Sequence, residues 1–174
     1  MFRNGDERRK KILEILMTSE EPVSGGTLAK QLGVSRQIVV QDIALIRAVN
    51  RDVLATNKGY MIHSSKLDQG SRRVICVKHD KTQIADELNT IVDFGGHVLN
   101  VVVEHDIYGQ IIVDLLINNR QDVVEFVDKI NSKKSQPLKE LTNGIHFHTI
   151  IAPSEEVIDA IEVALDKRGY LYNM

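Results

Sequence analysis

The feature that most constrains the fold is a pair of helical patterns separated by one glycine near the N-terminus. The first pattern runs from Thr27 to Leu32, Gly33 supplies a tight turn, and the second pattern reaches about Val49. Ser35 is a favourable N-cap for the second helix, because its hydroxyl can accept a hydrogen bond from a free main-chain N–H. Two helices joined by a glycine turn predict a helix-turn-helix, whose second helix enters the DNA major groove.

The second of these helices has two chemically different faces. Val39, Ile43 and Ile46 fall within about 60° of one another at 100° per residue, and they form the predicted core stripe. The opposite side carries glutamine and alanine, which can contact base edges and thymine methyl groups. A plain solvated helical hairpin is the alternative. The predicted DNA-contacting residues of this region are Ser35, Arg36, Gln37, Gln41 and Arg47.

A β-hairpin is predicted directly after these helices. The segment DVLATNKGYMIH contains two short strand patterns around Asn57, Lys58 and Gly59, with a cation at the hairpin tip. An earlier helical pattern, with Ile12, Leu13, Ile15 and Leu16 at helical spacing, precedes the pair. Three helices followed by a hairpin are typical of a winged helix, and Lys58 is the predicted DNA contact of the wing. Residues 1–65 are therefore predicted to form a winged helix-turn-helix domain, followed by a linker over residues 66–71.

Strand and helix patterns alternate through the second domain, predicted over residues 72–174. Hairpin-linked strands with interspersed helices predict an α+β fold, a two-layer α/β sandwich with a mainly antiparallel sheet. We expect short strands at PLKEL and, as an edge strand, at YLYNM. Dinucleotide-binding, P-loop and nucleophile-elbow motifs are absent from the sequence.

Charge is distributed unevenly along the chain. Residues 1–73 carry 13 Lys and Arg against 8 Asp and Glu, whereas residues 74–174 carry 9 against 16. A basic first half suggests contact with a polyanion, although uneven surface charge alone is the alternative. The sequence has no apolar run long enough for a membrane span, no signal-peptide core and only one cysteine, so we expect a cytoplasmic protein.

Two histidines two residues apart stand out in the segment GIHFHTI. On a strand, His146 and His148 share one face, because successive side chains point to opposite faces. His79 ends an earlier strand, and Glu87 lies at the border of a buried helix face, where one side of it can stay near water. Imidazole nitrogens and a carboxylate suit Zn, Ni, Fe or Mn, and surface or cross-strand histidines are the alternative.

Four segments of the chain together resemble the nicotinate-responsive transcription repressors of bacterial NAD biosynthesis. These segments are VSRQIVVQDIALIR, RRVICVKH, VVVEHDIYGQI and GIHFHTI. That family joins a winged helix to a three-histidine regulatory domain similar to the phosphocarrier-protein sandwich. The resemblance covers nearly the whole chain and implies a cytoplasmic homodimer that represses NAD-biosynthesis or niacin-uptake genes. It also implies nicotinic acid as corepressor and one divalent transition metal per chain, Ni, Zn, Fe or Mn. Its metal ligands fall on His79, Glu87, His146 and His148.

Further expectations follow from this resemblance. The family's other recurrent histidine falls on His105, which with Tyr108 is a candidate ligand-binding pair. If His146 and His148 face the helices, Phe147 faces the opposite side of the sheet, where we expect dimerisation. We also expect the filled pocket to fix the spacing of the two winged helices, although a purely structural metal with the ligand elsewhere stays open.

Two other functions are compatible with the same four candidate metal ligands. In a metal-sensing repressor, the divalent ion itself is the signal and pyridines have no effect. In a metal-dependent hydrolase tethered to DNA, His105 and Tyr108 would be the spare groups beside an open metal position.

Overall fold

The computed structural model describes residues 4–49, 52–62, 70–132 and 137–172. The chain divides into two compact units between Ser65 and Lys66, and each unit has its own apolar core. Most of the predicted linker, residues 66–69, lies outside the described residues, and Ser71 already begins a strand. Among the described residues, no helix combines the length and apolar character needed to cross a bilayer.

The first unit contains three helices and a two-stranded antiparallel sheet. Its elements are α1 (Gly5–Thr18), α2 (Gly25–Leu32), α3 (Arg36–Val49), β1 (Val53–Ala55) and β2 (Tyr60–Ile62). Gly33 ends α2 with a φ of 65°, a left-handed conformation that glycine adopts without steric cost. The Ser35 hydroxyl then accepts a hydrogen bond of 3.3 Å from the N–H of Ile38, as expected of an N-cap.

The core of this unit contains the predicted stripe of α3 and one acid that the sequence interpretation missed. Val39, Ile43 and Ile46 are each at most 3% exposed. Asp42 is buried beside them and accepts hydrogen bonds from Arg8 and Arg9 of α1. Its position three residues after Val39 was the signal for burial, since residues at i and i+3 share a helix face. This ion pair fixes α3 against α1.

The second unit is a four-stranded antiparallel sheet with helices packed on one face. Its elements are β3 (Ser71–Lys78), α4 (Ile84–Asp93), β4 (His97–His105), β5 (Gly109–Ile117), α5 (Arg120–Ser132), β6 (Ile145–Ala152) and α6 (Glu155–Lys167). The strand order is β3-β6-β4-β5, and every neighbouring pair is antiparallel. Side chains from α4, α5 and α6 share one apolar core with the sheet. The predicted α+β fold is confirmed.

Two strand predictions in this unit need correction. PLKEL is not a strand: Leu138–Thr142 form a 3₁₀-helix. The physical reason is local, because Pro137 lacks an N–H for a sheet ladder and its carbonyl instead accepts from the Glu140 N–H at 3.0 Å. The predicted C-terminal edge strand is reduced to one antiparallel bridge between Val77 and Leu171. The last two residues of that prediction lie outside the described part of the chain.

Candidate metal centre

Strand β6 carries two histidines into the layer between sheet and helices. His146 and His148 are each 3% exposed, opposite Val77 and Ile75 of β3. Gly144 precedes the strand with a φ of 84°, and a Cβ added there would lie 2.7 Å from the His79 carbonyl oxygen. Only glycine therefore allows β6 to begin this close to His79.

The end of β3 and the start of α4 supply the other two candidate ligands. His79 follows the last residue of β3, and the next residue, Asp80, forms a capping box with Gln83. This box turns the chain into a short 3₁₀-helix and then into α4, whose buried face includes Glu87. One tight turn thus brings His79 and Glu87 together, although eight residues separate them in the sequence.

The three imidazoles converge on a single carboxylate. Glu87 Oε2 lies 2.7 Å from His79 Nε2 and 3.9 Å from His146 Nε2, and Glu87 Oε1 lies 3.3 Å from His148 Nε2. Ligand atoms of His79, Glu87 and His146 all lie within 4.8 Å of one another. Glu87 itself is only 1% exposed, so the expectation that one side stays near water is wrong.

The hydrogen bonds of the rings favour a metal between these groups. Each histidine has its Nδ1 2.8 to 2.9 Å from a main-chain carbonyl oxygen, which can only accept a hydrogen bond. In a neutral ring whose Nδ1 donates to such a carbonyl, Nε2 is left with a lone pair that can bind a metal; His79 Nδ1 is also 2.8 Å from the Lys139 amine, which can only donate to it. Among the described residues, Glu87 Oε1 is buried without a hydrogen-bond partner. Three Nε2 atoms beside one carboxylate could hold a cation between them, and the donor set suits Zn²⁺ or Ni²⁺.

The electrostatics of the cluster reflect burial and mutual attraction. Burial opposes ionisation of Glu87, but the charge and hydrogen bonds of the histidines hold its pKa well below the usual value. Burial lowers the pKa of His146, which stays neutral more readily. Burial also acts against protonation of His148, but the charge of Glu87 outweighs it and raises the pKa of His148. A carboxylate that remains ionised in an apolar site is a favourable metal ligand.

A cavity of about 190 Å³ opens beside the four residues. Its walls are mostly apolar and come from α4, the sheet and α5, with Leu88, Leu115 and Phe126 among them. Lys139, a buried residue, also lines the cavity. The sequence interpretation missed Lys139, because a lysine in a short polar segment is ordinarily exposed. An apolar cavity with a few convergent polar groups is the usual form of a small-molecule site.

The other predicted ligand-binding pair lies elsewhere. His105 ends β4, and its Nδ1 accepts from the N–H of Ile107 at 3.2 Å in the turn before β5. Tyr108 is 76% exposed and stacks against His105, with ring centroids 4.9 Å apart. Neither residue is among those that line the cavity. Their role in ligand binding stays a prediction.

The predicted DNA contacts lie on the surface of the first unit. Gln37 and Gln41 are exposed on α3, on the side away from its core stripe. Arg36 is also exposed, whereas the Nε of Arg47 donates a hydrogen bond of 3.0 Å to the Val53 carbonyl of β1. Lys58 lies in the turn between β1 and β2, where its N–H donates to the Thr56 hydroxyl. With the N-cap Ser35, these residues form the surface that we expect to meet DNA.

A helix-turn-helix unit followed by a regulatory unit defines a DNA-binding transcription regulator, and comparison with known proteins agrees. Residues 8–61 match the HTH domain and residues 72–174 the 3H domain. The "Probable transcription repressor NiaR" of Thermotoga maritima is 42% identical over 165 residues, covering 95% of this chain and 93% of the relative. The "Transcription repressor NadR" of Bacillus subtilis is 40% identical over 169 residues, which cover 96% of this chain and 94% of the relative. The chain belongs to this family of 3H-domain transcription repressors.

This membership decides between several of the sequence-based interpretations. The resemblance to a repressor family is confirmed, as is a regulatory rather than enzymatic role. The tethered-hydrolase alternative is therefore set aside. The HTH domain implies that the chain binds double-stranded DNA.

Proposed function

We propose that the chain represses genes of NAD biosynthesis or niacin uptake, with nicotinic acid as corepressor. One divalent transition metal per chain would be held by His79, Glu87, His146 and His148. The observation that carries the proposal is the placement of this cluster: three imidazoles and one buried carboxylate form one wall of an apolar cavity. The predicted family ligands thus border a space for a small aromatic molecule.

The metal has a specific chemical task in this proposal. Bound by four protein groups, a six-coordinate ion would offer up to two positions to a pyridine nitrogen or a carboxylate oxygen. The Nδ1 hydrogen bonds of the three histidines fix ring orientation in advance, which is the usual way proteins tune such ligands. Burial of Glu87 excludes water from its carboxylate.

The shape and polarity of the cavity suit a flat aromatic acid. Apolar side chains from α4, β4, β5 and α5 would contact the ring faces, and Phe126 offers an aromatic surface. The polar side chains of the lining are those of the four candidate ligands and of Lys139. This arrangement supports a ligand with one charged end and one apolar body.

A homodimer is part of the proposal. On the face of the sheet opposite the helices, Phe147 lies in register with Cys76 and Val102. Val74 and Ile112 on the same face are 59% and 57% exposed. Such a surface supports association through the sheet, and a dimer would read two half-sites of a palindromic operator.

Nicotinate would act by binding the DNA-competent state more tightly than the other state. Its effect on operator affinity equals that difference, typically about 1–3 kcal/mol, or about 5- to 150-fold. The metal-sensing alternative uses the same four ligands and differs only in having the ion as the signal.

Calorimetric titration of nicotinate and nicotinamide tests the proposal, with metal-loaded protein and with protein treated with a chelator. The proposal predicts binding of nicotinate, with nicotinamide weaker, and loss of binding after chelation. Binding that survives chelation would leave the repressor but make the metal structural. If neither compound binds in any state, nicotinic acid is not the corepressor, and direct metal sensing becomes the better account.

A further inference from the structure

Lys139 is a buried, positively charged residue that has no role in the proposed four-ligand metal site. The residue is 4% exposed, lies in the 3₁₀-helix Leu138–Thr142 and lines the cavity. Its Nζ is 2.8 Å from His79 Nδ1 and 3.0 Å from the His79 carbonyl oxygen, and it also donates to the Asp80 carbonyl oxygen. A buried lysine is costly unless its charge and its N–H groups are satisfied.

One of these three contacts conflicts with metal binding. A neutral His79 that binds a metal through Nε2 must carry its hydrogen on Nδ1, which can then be donated to the Asp80 carbonyl oxygen at 2.9 Å. A lysine ammonium only donates, so Lys139 cannot also donate to that Nδ1. In the metal-loaded form, Lys139 therefore keeps its two carbonyl acceptors, and the N–H that pointed at His79 Nδ1 loses its acceptor. Leaving such a buried donor unpaired is unfavourable.

The net charge of the site also favours an anionic ligand. Without a metal, the negative Glu87 and the positive Lys139 balance within one apolar region. A divalent ion adds two positive charges, and among the described residues Glu87 is the only carboxylate that lines the cavity. A carboxylate ligand would cancel part of this excess, whereas a neutral amide would not.

We infer that Lys139 binds the carboxylate of the ligand and is the residue that selects an aromatic acid over its amide. The inference rests on the proposed function, because it names the part of that site which recognises the charged end of nicotinate. It would also make acid binding depend on the metal, because the tautomer of His79 that binds an ion through Nε2 leaves one Lys139 N–H without its acceptor.

The test compares wild-type protein with Lys139→Met, whose unbranched side chain is one heavy atom shorter and carries no charge. Lys139→Gln serves as a second variant if the methionine protein does not fold. Lys81→Met is the matched control, since Lys81 lies exposed in the adjacent 3₁₀-helix and does not line the cavity. The probes are nicotinate, nicotinamide and benzoate, titrated into Ni²⁺-loaded protein. Metal stoichiometry and affinity are measured separately by competition with a chromophoric chelator.

The inference predicts that Lys139→Met still binds one metal per chain but loses about 10- to 100-fold in nicotinate affinity. Nicotinamide affinity should change less than about threefold, benzoate binding should fall with nicotinate binding, and Lys81→Met should behave as wild type. Two results overturn it: unchanged preference for acid over amide in the variant, or loss of the metal together with all ligand binding. If the wild-type protein itself binds no acid, the proposed corepressor fails first and the inference fails with it.

Discussion

Replacing Glu87 with glutamine should abolish the stabilisation that a divalent metal confers on the second unit. A ligand present at 100 times its dissociation constant stabilises the folded state by about 2.7 kcal/mol. For a domain of this size, 1 kcal/mol corresponds to a shift of about 4–8 °C in Tm. We therefore expect Zn²⁺ or Ni²⁺ to raise the Tm of the wild-type unit by about 10–20 °C.

The structure explains why Glu87→Gln should remove this shift. Glu87 is the one carboxylate in the cluster, and among the described residues its Oε1 is buried without a hydrogen-bond partner. An amide of the same shape brings no negative charge and is a poor ligand for such ions. In the variant, we expect the metal-induced shift to fall below about 3 °C.

Asp86→Asn provides the matched control on the same helix. Asp86 points away from the cluster, accepting a hydrogen bond of 2.8 Å from the Tyr170 hydroxyl and pairing with Arg168 at 3.3 Å. Each variant is compared with its own chelated form by differential scanning calorimetry, so that changes in baseline stability cancel. A full metal-induced shift in Glu87→Gln would refute the assignment of Glu87 as a ligand. Loss of the shift in both variants would show a non-specific effect.

Three further predictions concern other parts of the molecule. Asp42→Ala should lower the free energy of unfolding of the first unit by about 1.5–3 kcal/mol, because it removes the charge-assisted hydrogen bonds that the buried Asp42 accepts from the half-buried Arg8; chemical denaturation checks this, with the exposed Asp6→Ala as control. Gln41→Ala should weaken operator binding by about 1–3 kcal/mol in fluorescence anisotropy without changing stability, and equal affinity would remove Gln41 from the interface. Phe147→Asp should give monomers in analytical ultracentrifugation, and a fully dimeric variant would exclude association through this sheet face.

Much of the fold was predictable because local signals agreed with the tertiary packing. The glycine turn, the Ser35 N-cap and the stripe of Val39, Ile43 and Ile46 all indicate the same helix-turn-helix, and the structure contains it. Strand parity placed His146 and His148 on one face, where both are buried. These features depend on residues close in sequence, whose geometry is set by backbone periodicity.

The parts that the sequence did not predict depend on contacts between distant residues. Glu87 was expected at a border near water, but the histidines of β6 and the cavity wall enclose it completely. Lys139 is buried only because the 3₁₀-helix packs its amine against the carbonyls of His79 and Asp80, 60 and 59 residues away. Asp42 is buried through Arg8 of another helix. The spacing of Asp42 from Val39 indicated a shared helix face, but no local pattern identifies the partners of these charged residues, and a charged residue alone predicts exposure.

Operator affinity measured in four states of the protein tests the central claim most directly. DNA selected by the wild-type protein from a random pool would be titrated with metal-loaded and with chelated protein, each with and without nicotinate. The account predicts that nicotinate tightens binding by about 5- to 150-fold, and only when the metal is bound. Equal affinity with and without nicotinate in the loaded protein would contradict it. An effect of the metal alone would instead identify the ion as the signal.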